Sequence, residues 1–197
     1  SGWCVEHMGD GVCTQECTEH CPPGWTCSQV GSGRDVVFVC ISEHSNLCKP
    51  CRVNADCLSS AGSADVCLDY GSEGSFCGGT CEVDEDCPWG FSCSSVLNVD
   101  GIAITQCVAD AGVCPCTARS IEQALWTPCQ LENDYGTCQG KRICTEEGLT
   151  DCDAPAPEEE VCDGIDNDCN GQIDEAQEID GQFYSRCYDD NPCTLDI

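Results

Sequence analysis

The chain has 197 residues, 36 of them acidic, 7 basic and 25 cysteine, for a formal charge of −29. Leu, Ile, Val and Phe total 35 residues, a share that with this charge describes a disordered chain unless covalent bonds replace the missing core. Cysteine at about 13% is above the level of a disulfide scaffold, which excludes folding in a reducing cytosol, while the charge excludes nucleic acid and anionic membrane as partners.

Residues 1–48 and 49–114 read as two copies of one cysteine-rich module. Cys4-x8-Cys13-x3-Cys17-x3-Cys21-x5-Cys27-x12-Cys40-x7-Cys48 recurs as Cys67-x9-Cys77-x3-Cys81-x5-Cys87-x5-Cys93-x13-Cys107-x6-Cys114. The matched loops Cys21-Pro-Pro-Gly-Trp-Thr-Cys27 and Cys87-Pro-Trp-Gly-Phe-Ser-Cys93 fix the alignment and mark Cys21, Cys27, Cys87 and Cys93 as disulfide positions. If the copies are true repeats, their bridges repeat: whichever partner Cys13 takes among Cys17, Cys21, Cys27, Cys40 and Cys48, Cys77 takes its counterpart.

The second copy carries Cys51 and Cys57 ahead of the shared part. With the odd cysteine total and the absence of a leader-like segment, this predicts a piece of a longer chain, cut mid-module. In each copy the last long interval predicts a β-hairpin. Ser95–Val99 and Ile102–Gln106 flank Asp100-Gly101 as a type I′ turn, and Gly31–Arg34 precedes Val36–Val39 at the matching place. These strands are expected to pack under Trp25 and Phe91. His7, His20 and His44 lack ligand spacing and read as surface residues, and Cys48-Lys-Pro-Cys51 lies at a module junction without the βαβ context of a redox motif.

Residues 115–154 predict a third disulfide-rich hairpin module. Ser120-Ile-Glu-Gln123 is a capping-box signal for a short helix through Leu125 and Trp126, ended by Pro128, and Thr137–Cys144 reads as a small hairpin. Asp153–Glu160, with two prolines and three successive glutamates, reads as an extended linker. No stretch approaches the ~20 apolar residues of a membrane span.

Residues 155–180 carry the densest chemistry. Asp166, Asp168 and Asn170 alternate and are followed by Gly171, the order in which an EF-hand loop presents its first oxygens before a turn. The Gln172 carbonyl is the next ligand, but the twelfth position falls on Gln177, which cannot supply a bidentate carboxylate. Closure is assigned to Glu175 in preference to Asp174, with Asp163 as an outer candidate. These are hard oxygen donors, which suit calcium and not the soft metals that seek thiolate or imidazole. Cys162 and Cys169 are expected to bridge and pre-form the turn; the alternative ties Cys162 back to Cys152 or Cys144. Residues 181–197, with Cys187-Tyr-Asp-Asp-Asn-Pro-Cys193, read as the start of a further cysteine-rich repeat, broken off at its end.

The segment Glu160–Glu175 resembles the metal-binding motif of cysteine-rich bacterial surface repeat proteins of myxobacterial type, found also in a methanotroph surface copper-binding protein. With Cys129 to Cys152 ahead of it, the resemblance extends over residues 116–175. It implies a location on the outer cell surface or outside the cell, and copper chemistry is not carried over.

The expected fold is a tandem of small disulfide-rich modules, mostly irregular with short β-hairpins and little helix, plus a calcium-loop module. The expected function is a non-enzymatic structural or adhesive segment (stalk, adhesin or fibre subunit) that associates with itself or with other surface proteins. The alternatives are a surface metal-binding protein and the accessory region of a secreted hydrolase. A nucleophile elbow or Cys/His pair is not found in the sequence.

Overall fold

Short alternating runs bounded by Gly, Asp and Asn become antiparallel hairpins along the chain. The structure, a computed structural model, describes residues 3–31, 36–58, 64–161, 163–174, 177–179 and 182–184. Residues 1–128 with 142–151 form one unit, and 129–141 with 152–197 form the other.

In the first unit, β1 (Trp3–His7) pairs with β2 (Asp10–Thr14), β3 (Trp25–Val30) with β4 (Val37–Ser42), β5 (Cys67–Asp69) with β6 (Ser75–Cys77) and β7 (Phe91–Leu97) with β8 (Ala103–Ala109). One helix, α1 (Ala118–Glu122), precedes a sheet ordered β11 (Gly148–Leu149), β10 (Thr137–Thr145), β9 (Trp126–Glu132). Strands β12 (Gln177–Ile179) and β13 (Gln182–Tyr184) pair in the second unit. The fold is thus a tandem of small disulfide-rich hairpin modules with little helix. Among the described residues no helix is long and apolar enough to cross a membrane.

Ten bridges hold the described residues. Cys17–Cys27 and Cys21–Cys40 in the first copy have their counterparts in Cys81–Cys93 and Cys87–Cys107 in the second. Cys27 faces Cys40 across β3–β4 as Cys93 faces Cys107 across β7–β8. Cys48–Cys114 then joins the two module ends. Cys77, however, bonds Cys57, and Cys67 bonds Cys51, whereas Cys4 and Cys13 are exposed thiols. The expected correspondence between Cys13 and Cys77 therefore fails: Cys77 takes its partner from the stretch ahead of the shared part, and Cys13 is a free thiol.

Apolar clusters in the first unit are built on cystine. Cys51, Cys57, Cys67 and Cys77 form one with Val99, while Phe76 packs with Cys48, Cys114, Ala109, Tyr70 and Phe91 in another. Among the described residues the scarce arginines are each engaged, Arg119 and Arg142 half-buried and Arg52 exposed. Arg119 pairs with Glu6 and donates to Ser45 O and Asn46 Oδ1, Arg142 pairs with Glu73 at 2.7 Å, and Arg52 lies over the Trp126 ring.

Several local expectations are corrected. The second hairpin turns through Val99-Asp100-Gly101, closed by Asn98 N–H on Ile102 O at 3.0 Å, with Gly101 at φ +74°. Only Gly101 takes the left-handed conformation, so the turn has three residues, not the two of a type I′ turn. The pairing moves by one residue, and that slip sets Cys93 against Cys107.

The helix begins at Thr117, whose hydroxyl accepts from Ser120 N–H at 3.2 Å; Ser120 is its third residue and not its cap, and Trp126 already belongs to β9. Thr137–Thr145 is one strand, not a hairpin, because Gly140 serves a close approach to the Ala154 backbone and makes no turn. Asp153–Glu160 is no free linker: Asp153 exchanges bonds with Lys141, and Ala154, Pro157 and Glu160 are buried. His20 is exposed as expected, but His44 is buried with Nε2 at 2.9 Å from Asp86 O, and His7 is half-buried, stacked on Trp25 and bonded to Ser42 Oγ.

Candidate metal centre

The acidic loop of the second unit is wound by its own side chains. Asp166 Oδ1 and Oδ2 accept from the N–H groups of Asn170 and Gly171 at 3.1 and 3.0 Å. Asp168 accepts from Asn170 twice, from N–H at 3.0 Å and from Nδ2 at 2.9 Å, and Asn170 Oδ1 accepts from Gln172 N–H at 2.8 Å. All of these oxygens but Asp168 Oδ2 bond backbone two to five residues on, which is how Asx side chains wind tight turns. Gly171, at φ +91°, makes the bend that its position in the motif predicts.

Glu160 organises the centre. It is 4% exposed, its Oε1 accepts from Asn167 and Asp168 N–H at 2.6 and 3.0 Å, and its Oε2 accepts from Asp174 N–H at 3.1 Å. Carboxylate oxygens of Glu160, Asp166 and Asp168 lie within 4.8 Å of one another. Among the described residues no Lys or Arg side chain pairs with them. Three converging carboxylates with lone pairs to spare are a hard-oxygen set of the kind calcium takes.

Of the residues singled out in the sequence, Asp166 and Asp168 come together and Asn170 joins them through hydrogen bonds. Gln172 is exposed, its N–H turned onto Asn170. Asp174 closes the neck of the loop, Oδ1 accepting from Asp163 and Gly164 N–H at 3.1 Å each, and Asp163 Oδ1 caps Ile165 N–H. Glu175 and Cys162 lie outside the described residues, as do Cys187 and Cys193. The expected bridge between Cys162 and Cys169 does not form: Cys169 bonds Cys138, and Cys152 and Cys144, the alternatives for Cys162, bond Cys129 and Cys116. The physical reason is docking. Asn133 Nδ2 on Pro157 O, Glu158 N–H on Asn167 O and the open Cα face of Gly136 under Asp168 seat the loop against residues 133–138.

Glu160 was missed because it closes a run of three glutamates that reads as solvated linker; the available signal was a carboxylate six residues ahead of Asp166. Three cysteine triplets, Cys17/Cys21/Cys40, Cys51/Cys57/Cys77 and Cys81/Cys87/Cys107, also have ligand-like spacing. Every one of these sulfurs is in a disulfide, which leaves no thiolate for a metal. In Cys48-Lys-Pro-Cys51 the two sulfurs bond Cys114 and Cys67, not each other.

No protein-family model matches the chain, and neither a curated protein nor a solved structure does.

Proposed function

We propose that this chain is a structural segment of an extracellular or outer-surface protein, a stalk, adhesin or fibre piece, stiffened by its bridges and by a calcium ion in the acidic loop. The observation that carries the reading is the covalent pattern: two hairpin modules with corresponding bridges, tied end to end by Cys48–Cys114, with cystine where other domains place Leu and Phe. Modules with so little core of their own gain from docking in series, and ten bridges suit an oxidising exterior. Single-molecule pulling tests it. The oxidised chain should resist extension across residues 48–114 until reductant is added, and extension of that stretch under oxidising conditions would end the structural reading.

The second reading, a surface metal-binding protein, is favoured by the convergence of Glu160, Asp166 and Asp168. Both readings use the same ion. Calcium would be held by these three carboxylates with Asn170 beside them, at an affinity on the order of 10⁻⁴–10⁻³ M, as in extracellular modules. Calorimetry on the full chain should register that binding, and Asp166→Ala with Asp168→Ala should abolish it. Unchanged binding in the double variant would remove the site.

A further inference from the structure

Cys4 and Cys13 face each other across β1–β2, and both thiols are exposed. Register partners in an antiparallel pair leave the sheet on the same face. The hairpin tip is Met8-Gly9, at φ +51° and +79°, between the closing pair His7 and Asp10; two left-handed residues make a type I′ turn. Hydrogen-bonded and non-hydrogen-bonded pairs alternate from that closing pair. Glu6 with Gly11 and Cys4 with Cys13 are therefore non-hydrogen-bonded pairs, and the backbone N–H and C=O of Gly11 and Cys13 turn outward along β2.

The β5–β6 hairpin shows what such an edge takes. Cys67 pairs with Cys77 and Asp69 with Ser75, in the register of Cys4 with Cys13 and Glu6 with Gly11. There Cys48 N–H donates to Cys77 O at 2.9 Å, Cys77 N–H to Lys49 O at 2.9 Å and Cys51 N–H to Ser75 O at 3.1 Å, with Pro50 opposite Phe76. The added strand then turns through Asn54–Cys57, where Asp56 Oδ2 accepts from Arg52 and Val53 N–H. That turn delivers Cys51 to Cys67 and Cys57 to Cys77. Under this cover Cys67 and Cys77 are 0% exposed. On the first hairpin, by contrast, a β-carbon built on Gly11 would meet nothing within 4 Å. Among the described residues no backbone bond from outside the hairpin reaches Gly11 or Cys13.

We infer that the β2 edge with Cys4 and Cys13 is an acceptor site for a polypeptide strand of Pro-Cys-x5-Cys type, which adds to the sheet and closes two bridges. The leading cysteine bonds Cys4 and the trailing one Cys13. Backbone pairing supplies the recognition, as in strand addition generally, and the two sulfurs make it permanent. This rests on the bridge pattern and is independent of the acidic loop.

The chemistry balances with glutathione disulfide as oxidant. The Cys4 thiolate attacks the disulfide of an oxidised donor strand, forming one mixed bridge and releasing one donor thiol. Cys13 and that thiol then lose two electrons and two protons to glutathione disulfide, which leaves as two glutathione molecules.

The test uses the oxidised full chain, a glutathione buffer and a synthetic peptide of residues 49–58, Lys-Pro-Cys-Arg-Val-Asn-Ala-Asp-Cys-Leu. One peptide should join through two bridges, in roughly ten-fold higher yield than a peptide of the same composition with its cysteines adjacent, because the second closure is intramolecular. Non-reducing peptide mapping should place the leading cysteine on Cys4. The variant Cys4→Ser with Cys13→Ser should take up none. A bridge between Cys4 and Cys13 themselves, equal yields from the two peptides, or uptake by the double variant would each overturn the assignment.

Discussion

Gly136 lies directly under Asp168: a β-carbon on the glycine would overlap the aspartate's carbonyl oxygen. The acidic loop thus keeps its seat only while residue 136 has no side chain, since the neighbour is backbone and cannot rotate away. Gly136→Ala should cost about 1–3 kcal/mol, the usual range for overpacking, and should weaken calcium binding along with stability. Thermal denaturation with and without calcium measures both. An unshifted midpoint would mean that the loop adapts freely and that its seating does not shape the site.

Glu160 holds three backbone N–H groups from a nearly dry position. In Glu160→Gln one end of the side chain becomes a donor facing donors. A buried donor left unsatisfied costs about 1–3 kcal/mol, so the variant should unfold earlier and lose calcium affinity. If Glu160→Gln bound calcium as tightly as the parent chain, the glutamate would be a scaffold for the turn and not a ligand.

Reduction should collapse the first unit even without denaturant. Its clusters contain few large apolar side chains besides Phe76, Leu47, Leu68 and Val39, too few to offset an ordering cost of about 1–2 kcal/mol per residue. Far-ultraviolet circular dichroism before and after reductant reads this directly. A cooperative transition surviving in the reduced chain would reveal a core that the cystine clusters conceal.

His7 makes the first copy acid-sensitive. Burial, aided by His44 and opposed by Asp10, lowers its pKa below the ordinary 6.5. The unfolded chain therefore binds the proton more readily than the folded one. Stability is lost as pH falls from about 6.5 through the folded value and is level again below it. In His7→Gln this slope should disappear from a pH series of thermal midpoints. A slope that persists unchanged would assign the sensitivity to another group.

Local patterns were legible because they depend on neighbours in the chain. The hairpin in each copy, the bend at Gly171 and the matched cysteine positions of Cys17, Cys21, Cys27 and Cys40 with Cys81, Cys87, Cys93 and Cys107 follow from alternation, turn chemistry and spacing. Even there the register of β7–β8 escaped by one residue, since a turn of two or three residues around Asp100-Gly101 differs only in which residues adopt positive φ.

The sequence by itself determined that this is a disulfide-built chain of short hairpins with an acidic loop spaced like a cation cage. Only the tertiary structure decided that Cys169 bonds Cys138, that Glu160 turns inward, and that Cys51 and Cys57 serve the hairpin of Cys67 and Cys77. The reason is physical. A bridge forms between cysteines whose Cα atoms come within about 4.4–6.8 Å, and a carboxylate is buried only where N–H groups wait to receive it. Both conditions are met by segments far apart in the chain, and spacing along the sequence carries no measure of that approach.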